Sequence, residues 1–188
     1  MDKFKNKYRI PSARLQNWDY SSNGAYFITI CTQNREHYFG DVVNGEMQLN
    51  ELGQLAEKYW IEIPQHFSFI ELGNFVVMPN HTHGILIIDK MDVVVPVETL
   101  HCNVSTPTNT TNNKNEQMAN ISPKSGTIST IIRSYKSVVS KNARSIHADF
   151  GWQSRFHDHI IRDEQSYQTI SNYIINNPVN WAEDKFHV

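Results

Sequence analysis

The apolar run at residues 84–88 constrains the fold more than any other feature of the chain. Successive residues of a β-strand point to opposite faces, so Ile85 and Ile87 would share one face and Leu86 and Ile88 the other. Apolar residues on both faces are typical of a central strand that is covered on both sides. The sequence therefore predicts a sheet with this strand in its interior.

The remaining periodicities predict the elements around that strand. The aromatic and β-branched segment 26–32, the apolar run 69–77 and a short stretch around 159–161 are predicted strands. Apolar residues at three- and four-residue spacing predict helices over 50–63, over 127–141, and from Asp163-Glu164 to Pro178. The order is strand, helix, two strands, helix, strand, helix. It predicts an α+β, ferredoxin-like (RRM-like) antiparallel sheet with helices packed on one face.

Length and composition limit the class of protein. The 188 residues favour one domain over 1–188, with a mobile insertion at 90–126, where polar Thr- and Asn-rich sequence has little to bury. No run approaches the roughly 20 apolar residues of a membrane span, and the charged N-terminus is unlike a signal peptide. Two cysteines, Cys31 and Cys102, suggest no disulfide framework. We therefore expect a cytoplasmic protein that has no membrane partner.

Charge supports two interpretations. The net charge of −2 is less positive than is usual for a nucleic-acid-binding protein. Cations nevertheless cluster between Lys3 and Arg14, and they recur at helical spacing at Arg133, Lys136, Lys141 and Arg144. Such a series is either a basic binding face or an ordinary solvated helix face, and charge alone favours the second interpretation.

Two His-x-His pairs are candidate metal sites. His81 and His83 stand at the head of the central strand, where residues two apart share a face and could hold one ion. A pair of exposed histidines at a strand end is an equally good interpretation of the pattern. His157 and His159 have the same spacing, so spacing alone does not decide between the two pairs.

The last predicted helix carries a candidate nucleophile. Asn177 follows Tyr173 by four residues, which places both on one helical face, and a tyrosine hydroxyl can form a covalent intermediate. The amide oxygen of Asn177 could then reach a metal that activates a phosphate. Taken alone, Tyr173 fits better as a packing residue of an amphipathic helix.

In combination, these motifs resemble a known family. The segment Met78-Pro79-Asn80-His81-Thr82-His83-Gly84 looks like the HUH signature of single-tyrosine transposases. The segments Trp152-Gln153, Arg155 to Arg162 and Tyr173 to Pro178 resemble the repeat-associated tyrosine transposase branch. The likeness covers about Tyr26 to Trp181, with 90–126 as an unmatched insertion.

The resemblance implies specific roles for residues of this chain. His81 and His83 would ligate Mg²⁺ or Mn²⁺, Tyr173 would be the nucleophile, and Asn177 matches a third ligand that is often Gln. Two departures stand out: Thr82 is not the bulky apolar residue that the motif's middle position implies, and Asn177 is shorter than Gln. His157 and His159 match a different segment, nearer the DNA-binding region, and are therefore secondary.

The implied activity is metal-dependent nicking and rejoining of single-stranded or hairpin DNA through a 5′-phosphotyrosine intermediate. Two alternatives stay open, a metal-dependent hydrolase without a covalent step and a non-catalytic module that binds hairpin DNA. Relatives act as homodimers in one branch, so a homodimer and catalysis in trans also stay open. Trp18 and Trp152 are candidate stacking surfaces for bases. The candidate DNA-binding residues are Arg14, Arg133, Lys136, Arg155, His157, His159 and Arg162.

Overall fold

The computed structural model describes residues 3–4, 7–8, 14–15, 18–90 and 125–187. The strands in these residues are β1 (Lys3–Phe4), β2 (Lys7–Tyr8), β3 (Gly24–Cys31), β4 (Gly40–Val43), β5 (Glu46–Leu49), β6 (Ile70–Met78), β7 (His81–Ile88) and β8 (His157–Ile161). Strands β1 and β2 form one short two-stranded ladder and β4 and β5 another, and the other four strands form the main sheet.

The main sheet is antiparallel and has the strand order β6-β7-β3-β8. Strand β7, which carries the apolar run, pairs on one side with β6 and on the other with β3, as its two apolar faces predict. This order, with one helix after β3 and another after β7, is the ferredoxin-like arrangement. The predicted fold class is therefore confirmed.

Among the described residues, four α-helices accompany the strands: α1 (Glu51–Ile61), α2 (Ile63–His66), α3 (Ile128–Ile146) and α4 (Glu164–Ile175). Side chains cap the three longer ones, because Asn50, Thr127 and Asp163 each accept a hydrogen bond from a backbone N–H three residues on. The helix predicted over 50–63 divides in two, because Pro64 begins the short α2 rather than simply ending α1.

Each face of the sheet is covered differently. Helices α1 and α3 pack on one face against Tyr26, Ile28 and Leu86, and this layer holds the main core. Helix α4 packs on the opposite face through Ile174, against Ile85 and Ile161. The prediction of helices on one face therefore holds for α1 and α3, and α4 extends the fold to the second face, where the sheet supplies apolar side chains for it.

Helix α4 approaches the sheet closely at a β-bulge in β6. The register of β6 against β7 shifts between Leu72 and Phe75, and Gly73 lies within the bulge. A Cβ at Gly73 would stand 2.8 Å from the hydroxyl of Tyr167 on α4 and 2.9 Å from Cβ of Ile85. Because only glycine leaves this space free, Gly73 allows α4 to lie mainly across β6 and β7, and α4 covers the β3–β8 half of the face less.

Some expectations fall outside the described residues. Residues 91–124 make up nearly all of the predicted insertion at 90–126, so its mobility stays a prediction, and so does the assignment of one domain to 1–188. The side chains of the N-terminal cations before Arg14 lie outside the described residues as well. Within the described parts of the chain, no helix is both long and apolar enough to cross a membrane.

Candidate metal and nucleophile site

Strand β7 places His81 and His83 together on the face that α4 partly covers. Their ring centroids are 4.4 Å apart, and both side chains are almost fully buried. Thr82 between them points to the main core, where it is also buried. The interpretation of this pair as exposed strand-end histidines is therefore wrong. Because both imidazoles are buried, each of them needs polar partners.

The hydrogen bonds of Asn80 fix the protonation of His81. The Asn80 Nδ2 group donates to the carbonyl oxygens of Arg35 and Phe186, which can only accept, so its Oδ1 is the atom 2.9 Å from His81 Nδ1. His81 must then carry its proton on Nδ1, which leaves a lone pair on Nε2. Within the described residues, that buried Nε2 atom has no hydrogen-bond partner. An unprotonated, unpartnered imidazole nitrogen is what a metal ion requires.

His83 lies between a threonine and the candidate nucleophile. Its Nδ1 is 2.8 Å from Oγ1 of Thr29 on β3, and its Nε2 is 3.1 Å from the hydroxyl of Tyr173 on α4. The Phe27 ring packs against both the His83 and Tyr173 rings. The structure thus brings the predicted nucleophile to the predicted ligands within one chain, although Tyr173 retains 39% exposure.

Asp184 joins the site from the segment that follows α4. Its Oδ2 accepts hydrogen bonds from the Tyr173 hydroxyl at 3.2 Å and from Asn177 Nδ2 at 2.8 Å, and its Oδ1 accepts one from the Phe186 backbone N–H. Sequence reasoning missed Asp184, since a single acidic residue beyond the helix has no distinguishing spacing. Tyr173 and Asn177 do share a direction, as predicted, and both reach this carboxylate.

The donor atoms fit a divalent cation. His81, His83 and Asp184 each offer a ligand atom, and these atoms lie within 4.8 Å of one another. The Oδ1 atom of Asn177 is buried and, in the described part of the chain, makes no hydrogen bond. Imidazole, carboxylate and amide groups are donors that divalent ions, Mn²⁺ and Mg²⁺ among them, accept in proteins.

Burial controls the ionisation of the site. It lowers the pKa of His81 to about 4, against the opposing effect of the Asp184 carboxylate, and it lowers the pKa of His83 well below the ordinary value. Both imidazoles are therefore neutral near pH 7 and do not need to lose a proton before they bind a metal. Burial also raises the pKa of Tyr173 to about 12, and the Asp184 charge acts in the same direction.

A cleft of about 870 Å³ opens beside this cluster over β3 and β8, where α4 covers the sheet less. Its floor includes Phe27 and Thr29, with His83 and Tyr173 at one end and His157 on the far side. His157 faces the same side as His83 because both residues pair with Thr29 in the sheet register. Four cations also line the cleft: Arg14, Arg35, Arg155 and Lys185.

The candidate DNA-binding residues divide into groups. Arg14, Arg155 and His157 line the cleft, although Arg14 is also held in a 2.8 Å ion pair with Asp158. Arg133 and Lys136 line a different groove, against α3. The exposed residues His159 and Arg162 line neither of these two cavities.

The two candidate stacking tryptophans are largely engaged in packing. Trp18 donates from Nε1 to the Tyr26 hydroxyl and is partly buried against the main core. The Trp152 ring packs against the rings of Phe39, Tyr135 and Phe150. These contacts leave both rings only partly exposed, and Trp152 also lines a groove beside α3.

Comparison with known proteins agrees with this architecture. No family model matches the chain. A protein of Haemophilus influenzae, described as uncharacterized, is 39% identical over 181 residues, which are 94% of this chain and 92% of that protein. The solved structure of a REP-associated tyrosine transposase bound to a REP hairpin aligns with a TM-score of 0.55 and 19% identity, over 93% of this chain and 77% of the transposase.

A putative transposase from Deinococcus radiodurans R1 aligns with a TM-score of 0.44 and 13% identity, over 88% of this chain and 97% of that one, and adds nothing to the assignment. The identity to the Haemophilus influenzae protein is high enough to show common descent over nearly the whole chain. The chain therefore belongs to one family with that protein, and it shares the fold of the solved REP-associated tyrosine transposase.

Proposed function

We propose that this chain is a metal-dependent single-stranded DNA endonuclease and strand transferase that works through a 5′-phosphotyrosine intermediate. The observation that carries the proposal is the contact of the Tyr173 hydroxyl with His83 Nε2 at 3.1 Å, at the edge of a three-residue cluster suited to a metal. The solved transposase of the same fold is bound to a DNA hairpin, which supports DNA as the substrate.

The ligands proposed are His81, His83 and Asp184, with the Asn177 amide oxygen as a fourth. Asn177 was predicted from the sequence as the third ligand, and its unpartnered Oδ1 keeps it in the proposal. A bound Mg²⁺ or Mn²⁺ would supply positive charge that polarises the target phosphate and favours the ionised form of the tyrosine.

The covalent step is a transesterification. The Tyr173 oxygen attacks phosphorus, a tyrosine–phosphorus bond forms, and the bond from phosphorus to the 3′ oxygen breaks. The 3′ oxygen takes up a proton and leaves as a hydroxyl, while the phosphoryl group stays on the 5′ side of the downstream fragment. The new phosphodiester retains the energy of the old one, so the reverse attack by a 3′-hydroxyl rejoins the strand without a nucleotide cofactor.

The proton of Tyr173 leaves through Asp184. The hydroxyl lies within hydrogen-bonding distance of His83 and Asp184, and the Asn177 side chain also acts on it. His83 would be engaged as a ligand of the metal, whereas the Asp184 carboxylate already accepts the hydroxyl hydrogen bond. The cleft that extends from these groups, with Arg35, Arg155 and Lys185 on its walls, offers positive charge to the flanking phosphates.

Labelled hairpin DNA with a single-stranded flank tests the proposal directly. With Mn²⁺, a 3′-labelled strand should give a denaturation-resistant protein adduct, and a 5′-labelled strand should release a free fragment that a polymerase can extend. Tyr173→Phe should abolish the adduct and keep DNA binding. Cleavage that survives Tyr173→Phe without an adduct would favour a metal-dependent hydrolase, and binding without cleavage under any metal would favour a non-catalytic module.

A matched pair of variants tests the carboxylate ligand. Asp184→Asn should weaken Mn²⁺ binding, measured by calorimetry without DNA, by at least tenfold, because it removes the negative charge of a ligand while nearly keeping the shape of the side chain. Glu183→Gln changes an exposed neighbouring carboxylate in the same way and should leave Mn²⁺ affinity unchanged. Equal Mn²⁺ affinities for the two variants would remove Asp184 from the ligand set.

A further inference from the structure

A second cavity, of about 540 Å³, lies on the other side of the β8 edge from the cleft. It runs between helix α3 and the segment 152–156, and we refer to it as the α3 groove. Three cations line it, Arg133, Lys136 and Arg144. Neither Tyr173 nor the cluster of His81, His83 and Asp184 lines this cavity, so the α3 groove is separate from the candidate metal and nucleophile site.

Helix α3 has two distinct stripes. Ile131, Tyr135 and Val139 belong to the stripe that is buried in the main core. The groove-lining residues form a second stripe at three-, four- and seven-residue spacing, from Ser129 to Arg144. Apart from the buried Ile132, the second stripe consists of cations and serine hydroxyl groups, whereas both signs of charge usually alternate on a helix surface that is merely exposed to water.

The α3 groove continues into the cleft. Ser129, Gln153, Ser154 and Phe156 line both cavities. Within the described part of the chain, seven Lys and Arg side chains and one acidic side chain line the two cavities. That acidic residue, Asp158, is paired with Arg14. A chain with a net charge of −2 has therefore gathered positive charge along one continuous surface.

Hydrogen bonds to backbone carbonyls hold two of the groove's cations. The Lys136 ammonium donates to the carbonyl of Gln153, and Arg144 Nε donates to the carbonyl of Phe150. Both side chains are thereby tied to the segment opposite α3 and lose less conformational freedom when an anion binds. Arg133 is exposed beside them.

We propose that the α3 groove binds the phosphate backbone of the DNA that flanks the scissile phosphate, as a non-catalytic extension of the cleft; this inference rests on the proposed function. Cations and serine hydroxyls are donors suited to phosphate oxygens, and contacts with phosphates carry no information about base sequence. From Arg133 to Arg144 the helix advances about 16 Å, which matches the axial length of about five nucleotides of one duplex strand.

The test measures equilibrium binding of fluorescent DNA in EDTA, in a Tyr173→Phe background, so that neither metal nor cleavage contributes. An Arg133→Ala/Arg144→Ala variant is compared with Lys141→Ala, which removes an exposed cation of the same helix that does not line the groove. Two probes are used, a hairpin with a single-stranded flank and an eight-nucleotide strand long enough only for the cleft.

The double variant should lose affinity for the hairpin by about eightfold per lost contact near 0.1 M salt, and its slope of log affinity against log salt should fall by about 0.9 per contact. Its affinity for the eight-nucleotide strand should not change, and Lys141→Ala should change neither probe. Ser140→Glu, which puts a negative charge into the groove without removing any hydrogen bond described here, should weaken hairpin binding in the same selective way.

Three results would overturn the inference: hairpin affinity of the double variant equal to that of Lys141→Ala, an equal loss on both probes, or no effect of Ser140→Glu. The binding test of the α3 groove and the cleavage test of the proposed function can give different answers. Selective loss of hairpin binding together with no adduct in the cleavage assay would keep the groove and refute the nuclease, and the converse would refute the groove alone.

Discussion

Asn80→Ala is the substitution that most directly tests how the site is built. Asn80 is fully buried, and its amide makes three hydrogen bonds, to His81 Nδ1 at 2.9 Å and to the carbonyls of Phe186 and Arg35 at 2.8 and 3.2 Å. The bonds to His81 and Phe186 are buried, so alanine leaves one buried donor and one buried acceptor without partners. At about 1–3 kcal/mol for each such group, the free energy of unfolding should fall by about 2–6 kcal/mol.

The same change should weaken metal binding. The Asn80 amide selects the His81 tautomer, and its bond to Phe186 anchors the segment that carries Asp184. Loss of such an outer partner typically lowers metal affinity by about 10- to 100-fold. Urea unfolding in EDTA measures stability, and calorimetric titration with Mn²⁺ measures affinity.

Asn142→Ala is the control for Asn80→Ala. It removes a partly buried amide that donates to the Val138 carbonyl within α3, and it should cost less than about 1 kcal/mol and leave Mn²⁺ affinity unchanged. A loss of stability in Asn80→Ala below about 1 kcal/mol, with unchanged Mn²⁺ affinity, would refute the reasoning about the tautomer and the anchor.

Three further predictions follow from the same face of β7 and from the core behind it. Gly84→Ala should destabilise the chain by about 1–3 kcal/mol or more in urea unfolding, because its Cβ would stand 2.3 Å from Cζ2 of Trp60. Adding Trp60→Phe to the Gly84→Ala variant should restore part of the lost stability. Folding lowers the pKa of His81 from 6.5 to about 4, so the unfolded chain binds more protons than the folded chain between these pH values. The free energy of unfolding in EDTA should therefore fall by up to about 3 kcal/mol as the pH drops from about 6.5 to 4. His81→Gln should lack this part of the pH dependence. Equimolar His83→Ala and Tyr173→Phe chains should form no adduct when mixed, since nucleophile and ligands meet within one chain; recovered adduct would indicate catalysis in trans.

Local periodicity was enough to predict the ferredoxin-like sheet. Alternation along 84–88 identified a central strand, and three- and four-residue spacing identified the long helices, because both patterns record which side of an element is buried. The face chosen by α4 was not predictable in this way. It depends on the bulge at Gly73 and on the apolar residues of the second sheet face, which are contributed by strands far apart in sequence.

The site was predictable only where its residues stand in one motif. His81 and His83 share a strand, and Tyr173 and Asn177 lie one helical turn apart. Asp184 reaches the cluster through the chain's path beyond α4, and no spacing rule contains that path. For the same reason the sequence did not reveal that Arg14, a candidate DNA contact, is paired with Asp158, 144 residues away.

The two histidines and the tyrosine lie in parts of the molecule that should open at different rates. Strand β7 is hydrogen-bonded on both edges and buried on both faces, so its amides should exchange with solvent only through near-global unfolding. Tyr173 lies on a helix that covers only part of the outer face, and short helical turns follow that helix. The backbone amides around Tyr173 should therefore exchange through smaller local openings. Slow deuterium uptake at His83 beside faster uptake around Tyr173 would mean that the two histidines keep their geometry while Tyr173 moves independently of them.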